Sequence, residues 1–183
     1  MLGRAGEVRI ERLTAPDQLE ASARSDLVDC WVAVTNAGGA VGFPHPPVTH
    51  ADVHPAVKSL AGELSARTCI LFRATQDETL LGWVVLSRAD SPLVGHWGLV
   101  QRLQTDPRHR GRGIGAALMQ AAEQYARDEL GLEQLHITVR AGLGLEDYYA
   151  RLGWREVGRW PSALRLGPDD VRDEVLMFRS LDT

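Results

Sequence analysis

Two apolar periods alternate along this chain, and their order predicts its elements. Residues 8–13 alternate apolar with polar positions, the period-two pattern of a half-buried strand. From about Asp17 the period lengthens. Leu19, Ala23, Leu27, Cys30, Trp31 and Val34 recur every three or four residues, which predicts a helix ended by Asn36-Ala37-Gly38-Gly39. Prolines break the apolar stretch 41–47, so it is expected to be neither helix nor strand. A second helix is expected after Thr49, an N-cap with Asp52 three residues on; its apolar face is Val53, Val57, Leu60, Ala61 and Leu64. Strands are expected at 69–74 and 80–87, joined as an antiparallel hairpin by the polar turn 75–78. A fourth strand, 97–105, runs through a Gly-rich turn into a helix with Ile114, Leu118, Ala121, Ala122 and Tyr125 on one face; Gly131 stops it. The fifth strand, 135–139, follows this crossover and should therefore lie parallel to the fourth. Leu145, Tyr148, Tyr149 and Leu152 mark a short helix, and strands at 155–159 and 174–178 close the sheet. The expected fold class is α/β: a mixed, mostly antiparallel sheet with one parallel pair and helices on both faces.

Bulk composition narrows the class. A chain of 183 residues, 44% apolar and 24% charged, is expected to be one globular domain over 1–183. Its net charge of −4 argues against a nucleic-acid partner. Cys30 and Cys69 are too few for a disulfide framework or a Cys-rich metal site. Neither a signal-peptide core nor an apolar run of membrane length is visible, so a cytoplasmic location away from membranes is expected. His50 and His54 share a helix face at i, i+4, a spacing that can bind a metal with Asp52 or His45 assisting. The H-E-x-x-H glutamate is absent, so a solvated helix start is the better reading and no metal is expected.

The chemistry concentrates in Gly111, Gly113 and Gly115. Glycine lets backbone approach a ligand closely, and the first amides of the following helix lack partners at the positive end of its dipole. Strand, glycine turn and helix together suit a phosphate or pyrophosphate, with Arg108, Arg110 and Arg112 adding charge. A P-loop would need G-x-x-x-x-G-K-S/T, and no such Lys follows. Gly111-x-Gly113-x-x-Ala116 fits the dinucleotide fingerprint G-x-G-x-x-A, but the next strand ends in Thr138-Val139-Arg140 without the acid that binds ribose. A turn that only packs a helix on a sheet is the third alternative.

The same residues read as Arg110-x-x-Gly113-x-Gly115, and Leu145-x-x-Tyr148-Tyr149-Ala150-Arg151-Leu152-Gly153-Trp154 lies about thirty residues further on. In these two motifs, within 97–154, the sequence resembles the GNAT superfamily of acetyl-CoA-dependent N-acetyltransferases. The resemblance implies that the fourth and fifth strands splay apart around the coenzyme. It implies that the amides of Gly111, Arg112, Gly113, Ile114, Gly115 and Ala116 hold the pyrophosphate, with Arg110 of the motif also at the coenzyme, and that the backbone of Leu103, Gln104 and Thr105 pairs with the pantetheine arm. Tyr149 stands at the family's general-acid position, with Tyr148 as packing or pocket wall. The glutamate that many relatives carry as general base is replaced by Leu99; His96 and Glu146 are substitutes, neither preferred. Trp31 and Phe43, in the helix–loop–helix that covers the acceptor side in this superfamily, are expected to line the pocket. The closely spaced prolines of 41–47 suggest a stiff lid and a small amine as acceptor. Glu146, Asp147, Asp173 and Glu174 would favour a cationic one. The implied activity is acetyl transfer from acetyl-CoA to a primary amine, with a homodimer as a candidate assembly. A non-catalytic acyl-CoA sensor and a peptide N-acetyltransferase are the rival readings.

Overall fold

The computed structural model describes residues 6–39, 42–44 and 46–181. Its elements are β1 (Arg9–Leu13), α1 (Ala21–Asn36), α2 (His50–Glu63), β2 (Cys69–Gln76), β3 (Thr79–Ser87), β4 (Trp97–Thr105), α3 (Ile114–Asp128), β5 (Gln134–Arg140), α4 (Leu145–Arg151), β6 (Arg155–Arg165) and β7 (Val171–Ser180). Seven strands form one sheet in the order β1-β2-β3-β4-β5-β7-β6. Every neighbouring pair is antiparallel except β4 with β5. The mixed, mostly antiparallel α/β fold is therefore as expected.

Two apolar layers flank the sheet. Ile114, Leu118, Met119 and Ala122 of α3 pack with Tyr149 and Trp154 against Val100, Leu135, Ile137 and Val175. On the opposite face, Leu27, Trp31 and Val34 of α1 and Val53, Val57 and Leu60 of α2 cover Leu71, Trp83 and Val85. The period-three-and-four patterns turn inward because burying those stripes is worth about 25 cal/mol per Å² of apolar surface.

Several details go beyond the expected pattern. The first helix begins at Ala21, because Pro16–Gln18 forms a separate 3-10 turn in which the Gln18 side chain accepts from the Thr14 and Ala15 amides. The β2–β3 turn is two residues, Asp77 and Glu78, both at positive φ; this is the twist that a two-residue hairpin needs. Helix α2 carries Pro55 inside it. Strand β6 runs to Arg165, well past 159, and β7 starts at Val171, before 174. Bulges around Pro161 and Ser162 let the edge strand absorb a proline that lacks an amide to donate.

Candidate active site

The site opens where the parallel pair ends. Strands β4 and β5 pair at only three positions, Trp97 with Gln134, Gly98 with Leu135 and Leu99 with His136. Beyond Leu99 they part. A bulge in β4 supplies the bend: Gln101 partners Val85 and Gln104 partners Trp83, so β4 carries one residue more than β3 over this stretch. Arg102 sits there at φ 56. An extra residue of this kind bends and twists its strand. Gly82 of β3 permits the close approach, since a Cβ there would lie 2.5 Å from the Gln104 carbonyl oxygen.

A cavity of about 800 Å³ fills the fork. Residues 99–105 of β4 form one wall and Ile137, Thr138 and Val139 of β5 the other. The start of α3 and Tyr148 and Tyr149 of α4 close one side of the sheet; Val34, Ala37, Gly38 and Gly39 at the end of α1 close the opposite side. Asn36 holds that end in place. Its side chain donates to the Val48 carbonyl at 3.0 Å and accepts from the Val48 amide at 2.7 Å, which draws the chain before α2 back to α1.

The glycine turn is set by Asp106. Its buried carboxylate accepts from the Arg108 amide at 2.8 Å and from Arg108 Nη2 at 2.7 Å. Hydrogen bonding from the Arg108 side chain holds the Asp106 pKa below its usual value. Chain leaving this cap reaches Gly111 at φ 75 and Gly113 at φ 77. Gly113 is the N-cap of α3 and offers no side chain to its first amides. A Cβ on either glycine would meet nothing within 4 Å, so both border open space. Uncapped amides, the positive end of a 15-residue helix and open space fit the pyrophosphate of acetyl-CoA.

The arginines divide. Exposed Arg110 lines the cavity. Arg112 does not: its guanidinium donates to Gln76 Oε1 at 2.7 Å and lies 3.1 Å from His109 Nδ1.

Tyr149 is buried in the cavity wall. Burial, with Tyr148 adding to it, raises the pKa of its hydroxyl, which stays protonated at neutral pH. Its ring meets Tyr148 edge-on at 5.1 Å and Trp154 at 6.1 Å. Trp154 is held in turn, because Nε1 donates to Glu123 Oε1 at 3.2 Å and the other Glu123 oxygen lies 3.3 Å from Arg179 Nε. Burial pushes the Cys30 thiol up to about 12 and Cys69 to about 11, so neither is a ready thiolate nucleophile.

The expected acceptor-side residues are placed differently. Trp31 is sealed at 2% exposure, edge-on to Trp83 at 5.1 Å and to Phe43 at 5.2 Å, with Arg102 over its ring at 5.2 Å. It lies on the inward face of α1, so Trp31 and Phe43 stand outside the cavity lining. His96 precedes β4 at the paired end of the fork, exposed; its carbonyl accepts from the Glu133 amide at 2.9 Å. Glu146 pairs with Arg159 of β6 at 3.8 Å and does not line the cavity. Asp173 accepts from the Ser162 amide at 2.9 Å. His50 pairs with Asp29 at 2.8 Å, and the described residues hold no group of three or more metal-ligating side chains. Val41 and His45 lie outside the described residues. Arg102, which the sequence offers only as one of a basic cluster with Arg108, Arg110 and Arg112, is brought to the cavity by the bulge; His136, which the sequence does not mark, is paired with Leu99 by the register.

Residues 37–154, more than half of the chain, match the model of the acetyltransferase (GNAT) family, and the chain belongs to that family. It is accordingly an acyl-CoA-dependent N-acetyltransferase with acetyl-CoA as co-substrate. The fold is similar to that of a GNAT-family acetyltransferase from Streptococcus pneumoniae, at 18% identity and TM-score 0.73 over 95% of this chain and 99% of that one. YncA from Salmonella typhimurium, solved with its cofactor acetyl-CoA, is similar at 12% identity and TM-score 0.71 over 97% and 95%. The ribosomal-protein-S18-alanine N-acetyltransferase from Escherichia coli is similar at 18% identity and TM-score 0.67 over 97% and 96%. A segment of 48 residues is 38% identical to the tRNA uridine(34) acetyltransferase of Methanocaldococcus infernus; it is 26% of this chain and 9% of that relative. No helix among the described residues is long and apolar enough to cross a membrane.

Proposed function

We propose that this enzyme transfers the acetyl group of acetyl-CoA to the primary amine of a small molecule by direct attack on the thioester. The tethered end of α1 on the acceptor side and the size of the cavity carry this reading. The end of α1 is tied to Val48 through Asn36, and Phe43 is packed on Trp31. A cavity of about 800 Å³ that must also admit the pantetheine arm leaves room for a small amine and little for a peptide groove.

Each part of the chemistry has a resident. Amides of residues 111–116 hold the pyrophosphate, with Arg110 at the mouth. The inner edge of β4 at Leu103, Gln104 and Thr105 pairs with the arm as an added strand would. Tyr149 donates its proton to the departing thiolate, which a phenol can do at neutral pH. Direct attack is favoured because the two thiols are buried and protonated. The test is thiol release with acetyl-CoA and a panel of polyamines, arylalkylamines, amino acids and peptides with free N-termini. Small amines should win in kcat/KM. Peptides winning by a large margin would replace the small-molecule reading with peptide N-acetylation.

A further inference from the structure

We propose that the acceptor of this acetyltransferase is a small primary amine that also carries a carboxylate, an amino acid in chemical class, and that Arg102 holds the carboxylate. This rests on the proposed function above and names its substrate class. Arg102 lines the cavity midway along the β4 wall, between Leu99 at the paired end and Thr105 before the glycine turn. The bulge puts it there, at φ 56. Gln101 and Gln104, on either side, pair with Val85 and Trp83, which α1 and α2 cover. The Arg102 guanidinium turns to that same face and lies over the Trp31 ring at 5.2 Å. Val34, about one turn further along α1, lines the cavity. The guanidinium therefore stands on the acceptor side of the fork, across the sheet from the start of α3.

This guanidinium has no anion of its own. Arg102 is half-buried, yet it makes no hydrogen bond or ion pair among the described residues. The ring face of Trp31 attracts its charge but occupies none of its N–H donors in the way a carboxylate would. None of its nitrogens is sealed from solvent, so the donors remain accessible. Arg102 also borders a recess of about 320 Å³ with Glu63, but that carboxylate accepts from Ser59 Oγ at 2.6 Å and forms no ion pair with the arginine. The rest of the lining agrees. Among its described residues the only charged side chains are Arg102 and Arg110, and Arg110 stands beside the glycine turn. The carboxylates that would favour a cationic acceptor are engaged elsewhere, Glu146 with Arg159 and Asp173 with the Ser162 amide. A polyamine would meet a like charge at Arg102 and no carboxylate in the described lining to neutralise it. An amino acid meets a planar fork of donors that matches the two oxygens of its carboxylate, in bonds about twice as strong as those between neutral groups.

The contact orients as well as holds. Arg102 is the chain neighbour of Leu103, Gln104 and Thr105, the backbone proposed to pair with the pantetheine arm. Carboxylate and thioester are thus held by consecutive residues of one strand. Binding at a part of the acceptor that does not react then fixes the approach of the part that does.

The decisive measurement is kcat/KM for each amino acid of a panel, for its amide and for the amine that lacks the carboxyl group, compared at equal concentrations of neutral amine. In the parent the best acid should exceed its amide by about 10–100-fold, the scale of a hydrogen bond to a charged group. Arg102→Gln should bring that ratio close to one, and Arg102→Lys should keep part of it. Calorimetry should show acetyl-CoA affinity near the parent's in both. Arg102→Gln with the parental ratio overturns the assignment. So does a loss of acetyl-CoA affinity with the ratio intact, which would give Arg102 to a phosphate of the coenzyme. Should the variants fail to fold, the parent decides alone: amides or plain amines that match the acids sink the proposal. A parent that acetylates no small amine removes the proposed function and this substrate class together; an active parent indifferent to the carboxylate removes only the substrate class.

Discussion

The hydroxyl of Tyr148 stands where the Cβ of any larger residue at Gly115 would go, for a Cβ there falls 2.6 Å from it. Gly115 is in the first turn of α3, and both residues line the cavity. Gly115→Ala should therefore push the tyrosine aside and weaken acetyl-CoA binding. Tyr148→Phe removes the oxygen and leaves the ring carbon at 3.6 Å, an ordinary contact. In that background the same alanine should be tolerated, and its better helix propensity should stabilise by up to about 1 kcal/mol. Melting and calorimetry of the four-member cycle should give a coupling of about 0.5–3 kcal/mol. Additive effects would show that the two positions do not meet.

Tyr149→Phe tests the acid. The ring contacts with Tyr148 and Trp154 survive this change, so acetyl-CoA affinity and folding should hold. Turnover should fall by about 10²–10⁴-fold, the range for a lost proton donor. Parental kcat would return Tyr149 to a packing role.

Gly113→Asp places a carboxylate at the uncapped start of α3. An L-residue at φ 77 is strained there by about 1–2 kcal/mol. Aspartate tolerates this conformation better than most, so the protein should fold with a lowered melting point. Calorimetry should show at least about a tenfold loss of acetyl-CoA affinity, equivalent to about 1.4 kcal/mol. Unchanged affinity would move the pyrophosphate elsewhere.

Asp106 gives a stability signature in acid. Its folded pKa lies below the unfolded value of about 3.9, so its contribution is present above that value and is lost as pH falls through the folded pKa. Asp106→Asn should destabilise by about 0.5–2 kcal/mol at neutral pH, the range for a lost cap. The difference from the parent should shrink below about pH 3.9. Denaturant titrations of both proteins at several pH values measure it; a constant difference would contradict the assignment.

Much of this site could be read along the chain because its signals are local. Glycine spacing before an apolar helical face locates the 111–116 turn, and the parallel pair follows from one crossover. The bulge could not be read. Arginine carries no preference for positive φ, so nothing in the sequence marks Arg102; its conformation follows from pairing β4 with β3. Trp31 was misplaced because helical periodicity gives a face without saying what lies against it, and Trp83 lies there. His136 was overlooked because an imidazole within a strand has no distinctive spacing. The residue it pairs with, Leu99, is 37 positions away.

The fork has one further consequence. By parting after three pairs, β4 and β5 expose two ladders of backbone donors and acceptors inside the molecule. On an outer strand such edges invite a second chain and, in time, aggregation. Here α3 and α4 stand on one side and the end of α1 on the other. A folded partner cannot reach the exposed ladder, whereas a slender thread bearing amides can. The protein keeps the stickiness of an unfinished sheet and rations it by width.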